Sequence, residues 1–230
     1  MSTSEAPMDI AEFDVDGALA QLEHDASEAV EPGTTRATFL KRFAVGAGGM
    51  VVASSLVGPA VAGAATSRRS ERGDIEILQY ALTLEYLEAQ FYKEAVQAPG
   101  ITGANKNFAK VVYAHEAAHV GAIIATLRKL GATPVSSPRF NFKGTNRKNG
   151  VFQKTALALE ETGVAAYVGQ APYVLNEGVL LAAARIATVE ARHAAWMRNM
   201  LGLNPAPRAF DAQRSKPGTL AVVNSTGFIV

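Results

Sequence analysis

Residues 81–92 read ALTLEYLEAQFY, and residues 156–167 read ALALEETGVAAY. In both stretches a Leu-Glu pair ends at Glu85 or Glu160, and a tyrosine follows seven residues later, at Tyr92 or Tyr167. A second acidic motif comes after each. Glu116-Ala117-Ala118-His119 begins 31 residues beyond Glu85, and Glu190-Ala191-Arg192-His193 begins 30 residues beyond Glu160. One half of this region therefore repeats the other: a lone Glu, then Glu-x-x-His.

Around these motifs the apolar residues recur at three-to-four spacing, the period of an amphipathic helix. Four helices are predicted, over 74–97, 105–130, 151–170 and 178–201. Leu78, Leu82, Glu85, Ala89, Tyr92 and Val96 share the inner face of the first, and Val112, Glu116, His119, Ile123 and Leu127 that of the second. Ala156, Glu160, Gly163 and Tyr167 face inward on the third, and Ile186, Glu190, His193 and Met197 on the fourth. Pro99-Gly100, Gly131 and Ala171-Pro172 supply stop signals. Residues 132–150 are rich in Pro, Ser, Asn and Lys and lack a period. A loop that long suits a crossover, which leaves the second and third helices parallel. The tail, 204–230, has three prolines and no helical stripe, so it is expected to be extended. The predicted fold class is all-α: a four-helix bundle over 65–203 with a long crossover between its second and third helices.

Residues three apart on a helix lie on nearly the same face, so Glu-x-x-His aims a carboxylate and an imidazole at one point. Glu85 and Glu160 sit in the middle of apolar faces, where an unpaired carboxylate is costly or takes up a proton. Four such carboxylates around one axis repel each other, and two divalent cations offset their charge. Four Glu and two His on four helices form an established ligand set for a dinuclear site in a helical bundle; a known pattern is applied here. The proposed ligands are Glu85, Glu116, His119, Glu160, Glu190 and His193. Oxygen and imidazole donors suit iron or manganese, and zinc less exclusively. A single Glu-x-x-His usually lies on a solvated face, but two at matched distance behind two Leu-Glu pairs are hard to obtain by chance. Glu88 competes with Glu85, and Glu161 with Glu160. The tyrosine spacing selects Glu85 and Glu160 and leaves Glu88 and Glu161 beside the site or on the surface. Tyr92 and Tyr167 are positioned to hydrogen-bond a ligand carboxylate, and Trp196 reads as packing.

His115-Glu116-Ala117-Ala118-His119 also fits His-Glu-x-x-His, the zinc metalloprotease helix, with Glu116 as general base. No Glu follows within about forty residues of His119, and Gly121 falls two residues after it instead of three. That reading leaves the second Glu-x-x-His and both Leu-Glu pairs unexplained. With the dinuclear reading, His115 stands one turn from His119, beside the ligands or facing solvent.

Composition narrows the classes further. The chain has 230 residues, 48% of them hydrophobic, enough for one domain with extensions. It has no cysteine, which excludes disulfides, zinc ribbons, iron–sulfur clusters and thiol catalysis. The net charge of +1 hides an asymmetry: residues 1–35 carry nine acids and no Lys or Arg, whereas 65–230 carry 19 basic and 12 acidic residues. The acidic head is expected to be disordered. No Lys/Arg stripe interleaves with aromatics, so nucleic acid is not an expected partner.

Residues 36–64 read as an export signal. Arg36, Lys41 and Arg42 precede an uncharged stretch, Phe43 to Ala65, with small-x-small cleavage sites at Ala60-Val61-Ala62 and Ala62-Gly63-Ala64. Thr35 to Lys41 resembles the twin-arginine (Tat) signal, with Ala37 where the second Arg belongs. The expected location is periplasmic or extracellular. The alternatives are a cytoplasmic fate or an uncleaved anchor, since 23 residues can span a bilayer; contact with a membrane is expected only if this leader is retained.

Residues 74–201 resemble the ferritin-like superfamily, and within it the exported ferritin-like proteins that include plant and bacterial desiccation-related proteins. The motifs that carry the resemblance are Ala81 to Ala89, Ala156 to Tyr167 and Val189 to His193. In ferritins and bacterioferritins a first-helix Glu is also followed by Tyr at +7. In bacterioferritins a third-helix Glu is followed by Gly at +3, as Glu160 is by Gly163 here. The resemblance implies a two-iron centre, chemistry with dioxygen or peroxide, and a role in oxidative or drying stress. A non-enzymatic stress protein with structural metal is the alternative it leaves open. No Cys-rich iron domain is present, so a rubrerythrin-type peroxidase is not expected. Without a fifth helix, neither is an iron-storage cage. By symmetry each metal takes one His and one terminal Glu, with Glu116 and Glu190 bridging.

Overall fold

The computed structural model describes residues 69–230. The acidic head and the stretch expected to be an export leader lie outside the described residues. Among the described residues the elements are α1 (Glu71–Gln97), α2 (Gly103–Lys129), α3 (Asn149–Gln170), a 3-10 turn (Ala171–Tyr173), α4 (Glu177–Met200) and α5 (Lys216–Thr226). The first four helices match the four predicted ones to within three residues at each end. No helix among them is long and apolar enough to cross a membrane.

Helix ends follow from local chemistry. Ser70 caps α1 by accepting the Gly73 N–H, and Asn176 caps α4 by accepting those of Gly178 and Val179. Buried Asp74 accepts the backbone N–H groups of Leu175 and Asn176, each at 2.8 Å, and so ties the start of α1 to the start of α4. Gly131 closes α2 with φ +74°.

α1 packs along α2, and α3 along α4. The crossover places the starts of α2 and α3 side by side: the Thr102 N–H donates to Asn149 Oδ1 at 3.0 Å, and Asn149 Nδ2 donates to Thr102 Oγ1 at 3.1 Å. The two helices therefore run parallel, as the loop length predicts. On its way the crossover bonds to Gln79 and then, through Asn146, to Phe91 O and Glu94 on α1.

The tail corrects one expectation. It is irregular from 204 to 215, but Lys216–Thr226 forms a fifth helix. Pro217 and Gly218 read as breakers in sequence. Proline is tolerated in a helix's first turn, where its missing N–H has no partner to lose, and Ser215 caps the turn by accepting the Gly218 N–H. Just before α5 the tail crosses α3, where the Arg214 N–H donates to Ala165 O at 2.9 Å. Only glycine fits beneath it at position 169, since a Cβ there would stand 1.9 Å from Arg214 O. The chain end pairs with the crossover in one antiparallel bridge, Phe140 to Ile229. The fifth helix also removes the premise on which a cage was discounted.

Two apolar cores fill the bundle. One is aromatic, built on Phe91, Tyr92, Phe108, Phe142 and Phe152. The other is aliphatic, built on Leu78, Leu82, Ile123, Leu127, Val179 and Ile186. The buried polar residues described next lie on the same helices between them.

Candidate metal centre

All six residues singled out by the repeat are buried and converge. Glu85, Glu116, His119 and Glu190 form one group, and Glu116, Glu160, Glu190 and His193 another; the donor atoms of each group lie within 4.8 Å of one another. Glu116 and Glu190 belong to both groups, so each group adds one private Glu and one private His. Ligand oxygens held about 2.1 Å from one ion are at most about 4.2 Å apart. A small inward movement of the side chains would bring either group to that spacing.

Each imidazole lies close to several carboxylates at once. His119 Nδ1 lies 3.2 Å from Glu85 Oε2, 3.1 Å from Glu116 Oε2 and 3.1 Å from Glu190 Oε1. His193 Nδ1 lies 3.2 Å from Glu116 Oε1 and 3.1 Å from Glu160 Oε2. One ring nitrogen carries at most one proton, so it cannot serve two or three carboxylates well. Accordingly Glu116 Oε1 and both oxygens of Glu190 are buried without a properly formed hydrogen bond. Buried unsatisfied oxygens are costly, and they fall on the two residues that both groups share. The donor set is therefore one that could bind metal ions.

Burial and crowding set the protonation of the metal-free cluster. Glu85 is pushed up to about 8, chiefly by burial. Burial, followed by the charges of neighbouring glutamates, holds Glu190 well above the carboxylate range. Burial would also raise Glu116, but the close imidazoles of His119 and His193 outweigh it and bring it down to about 2. Burial opposes charge on the imidazoles too, yet the surrounding carboxylates raise His193 to about 9 and His119 to about 12.

The tyrosines are strapped across the repeat. Tyr92 of α1 donates its hydroxyl to Glu160 of α3, and Tyr167 of α3 donates to Glu85 of α1. Each half of the repeat thereby orients the private carboxylate of the other. Sequence spacing placed each tyrosine near its own Glu, and only the antiparallel packing of α1 and α3 reveals the exchange.

Neighbouring residues sort clearly. Glu161 turns away and pairs with Arg198. Glu88 is 3% exposed, well inside, and its pKa is raised by burial and by the charges of Glu190, Glu160, Glu116 and Glu85. Gly163 lies against it: a Cβ there would stand 3.3 Å from Glu190 Oε2 and 3.4 Å from Glu88 Oε1. His115 stays outside the cluster. Its Nδ1 meets Nε2 of His193 at 2.8 Å, so it orients a ligand ring from the surface. His115 is turned to His193 and belongs to neither group of converging donors, which gives the zinc-protease reading no support. A recess of about 420 Å³ lined by His115, His119, Arg192, His193 and Trp196 reaches this side of the cluster. Sequence reading passed over Arg192 and took Trp196 as packing alone; its ring does pack edge-on against Phe108 at 4.9 Å.

Comparisons with known proteins agree with this architecture. The crystal structure of a conserved hypothetical protein from Mycobacterium tuberculosis aligns with a TM-score of 0.51 and 19% identity, over 61% of this chain and 99% of its own. A hypothetical protein from Methanococcus jannaschii aligns with a TM-score of 0.47 and 16% identity, over 74% of this chain and 98% of its own. The first shares the fold and says nothing of chemistry. Curated proteins give no match. The ferritin-like domain profile matches residues 73–203, more than half of the sequence. The chain belongs to the ferritin-like domain family.

Proposed function

We propose that the cluster holds two metal ions, iron in preference to manganese or zinc, and that the protein reduces dioxygen or peroxide with them. The observation that supports this most is the sharing of Glu116 and Glu190 between two buried donor groups, with their oxygens otherwise unsatisfied. Glu85 and His119 would hold one ion, Glu160 and His193 the other, and Glu116 and Glu190 both. A pair of ferrous ions supplies two electrons, which with two protons convert dioxygen to peroxide or peroxide to two waters.

The chain's own residues have distinct parts in this reading. Tyr92 and Tyr167 fix the private carboxylates. His115 fixes the tautomer of His193 by accepting its Nε2–H, leaving Nδ1 for metal. Glu88 adds a buried carboxyl beside the ligands, placed to hold a proton there. The aromatic core keeps bulk water from one side of the cluster.

Export by the Tat-like leader, and protection under oxidative or drying stress, complete the proposal. They rest on residues 36–64 and on the family resemblance.

The test is anaerobic loading with ferrous iron, followed by dioxygen or peroxide. A fast near-ultraviolet ferric band that Glu116→Ala abolishes supports the oxidoreductase. Metal bound without turnover supports a structural metal in a non-enzymatic stress protein. Failure to bind metal stoichiometrically would end both readings.

A further inference from the structure

The two private halves of the site do not have the same surroundings. Beyond the Glu160–His193 half, Tyr92, Phe108, Phe152 and Met197 are fully buried and packed. Beyond the Glu85–His119 half lies a chamber of about 40 Å³. Ala81, Ile123 and Ile186 line it, each one helical turn from a donor: Glu85, His119 and Glu190 respectively. Tyr167, whose hydroxyl is committed to Glu85, forms another wall. Ala122, Ala182 and Ala183 also line it, and these small side chains sit where α2 faces α4.

Size and chemistry limit what can occupy this space. One water needs roughly 10–15 Å³, while a dry cavity of about 150 Å³ admits benzene. A volume of about 40 Å³ therefore suits a guest of two or three heavy atoms. The lining is aliphatic apart from Tyr80, Tyr167, Gln170 and Thr126, and the Thr126 hydroxyl is already bonded to Ala122 O at 2.8 Å. Water and peroxide would lose hydrogen bonds on entering such a space, and dioxygen has none to lose.

We propose that this chamber admits dioxygen to the Glu85–His119 half of the site and discriminates against water and peroxide. The role in delivery rests on the dinuclear oxidoreductase reading above; the occupancy of the chamber does not.

Two measurements test it. Metal-free crystals pressurised with xenon are expected to show the gas bounded by Ala81, Ile123 and Ile186. Ala182→Val, with Ala122→Val as a second variant should the first fold poorly, is expected to remove that xenon. In the iron-loaded protein the same variants are expected to slow ferrous oxidation by dioxygen several-fold and leave oxidation by peroxide unchanged. Ordered water in the chamber, no xenon, or equal slowing with both oxidants would overturn the proposal. Xenon bound as expected in a protein that oxidises iron with neither oxidant would remove the delivery role together with the function proposed above.

Discussion

The aromatic and aliphatic ends of the bundle are built on the same repeat and packed to opposite effect. At one end Phe91 and Phe152 stack at 5.6 Å, Phe142 meets Phe91 edge-on at 5.3 Å, and the crossover closes over them. At the other, leucine, isoleucine and alanine line a small, partly open apolar pocket. Between the two ends lies a polar layer whose donors are nearly two-fold related. The repeat specifies that layer, and the residues flanking it make the two halves inequivalent. One half is flanked by close-packed rings, with a recess at His193 beside them, and the other borders apolar space that a small molecule can fill.

The largest break in this picture comes from the shared donors. Glu116→Ala is expected to abolish binding of both metals, whereas Glu85→Ala or Glu160→Ala removes one and keeps the other. Counting metal per chain by elemental analysis distinguishes these outcomes. Equal losses in all three variants would contradict the division into shared and private ligands.

Stability separates the two ends next. Phe152→Ala opens a cavity in a close-packed aromatic core and is expected to cost about 3–5 kcal/mol. Ile123→Val enlarges a void that already exists and is expected to cost about 0.5–1.5 kcal/mol. Urea unfolding of the two variants checks both the order and the gap.

Tyr92→Phe and Tyr167→Phe sharpen the comparison within the polar layer. Each is expected to weaken metal binding by about 10–100-fold, since a group that orients a ligand is lost. The strapping predicts a crossed pattern: Tyr92→Phe impairs the Glu160 half, and Tyr167→Phe the Glu85 half. Titration with cobalt, read site by site through its absorption in the single-half variants, would expose an uncrossed pattern.

A smaller and more gradual effect comes from pH. In the metal-free fold Glu85 titrates near 8 instead of near 4.5, so over that range the folded chain holds a proton that the unfolded chain has released. His193, raised to about 9, contributes stability that is complete below its ordinary value near 6.5 and lost as pH rises through 9. Both act in the same direction, so the metal-free bundle should weaken from about pH 4.5 to about pH 9. Glu116, depressed to about 2, acts oppositely, and its contribution is lost only below about 4.5. Metal binding displaces the protons, so affinity should strengthen over the interval in which the empty bundle weakens. Melting temperatures with and without metal across that range check the sign; a rising curve for the metal-free protein would count against it.

Much of this was legible in the sequence because each signal was local. Helical period, Pro-Gly stops and paired Glu-x-x-His motifs are written within short stretches, and they located four helices and six side chains that converge between them. Relations between distant stretches were not legible. The tyrosines choose carboxylates across the bundle, which depends on the packing of α1 against α3. Glu88 reads as second to Glu85 on its own helix, and its burial depends on packing against another helix, where it lies beside Gly163. The fifth helix was obscured for a different reason: it is short, buries only Thr219 and Val223 fully, and begins with residues that resemble a stop.

The central claim is that two metal ions share Glu116 and Glu190. Anomalous diffraction at the iron edge, on crystals of protein purified from its native compartment, tests it directly. The account predicts two peaks per chain, one against Glu85 and His119, one against Glu160 and His193, with both shared carboxylates between them. A single ion between His115 and His119, or no ion at the cluster, would contradict it.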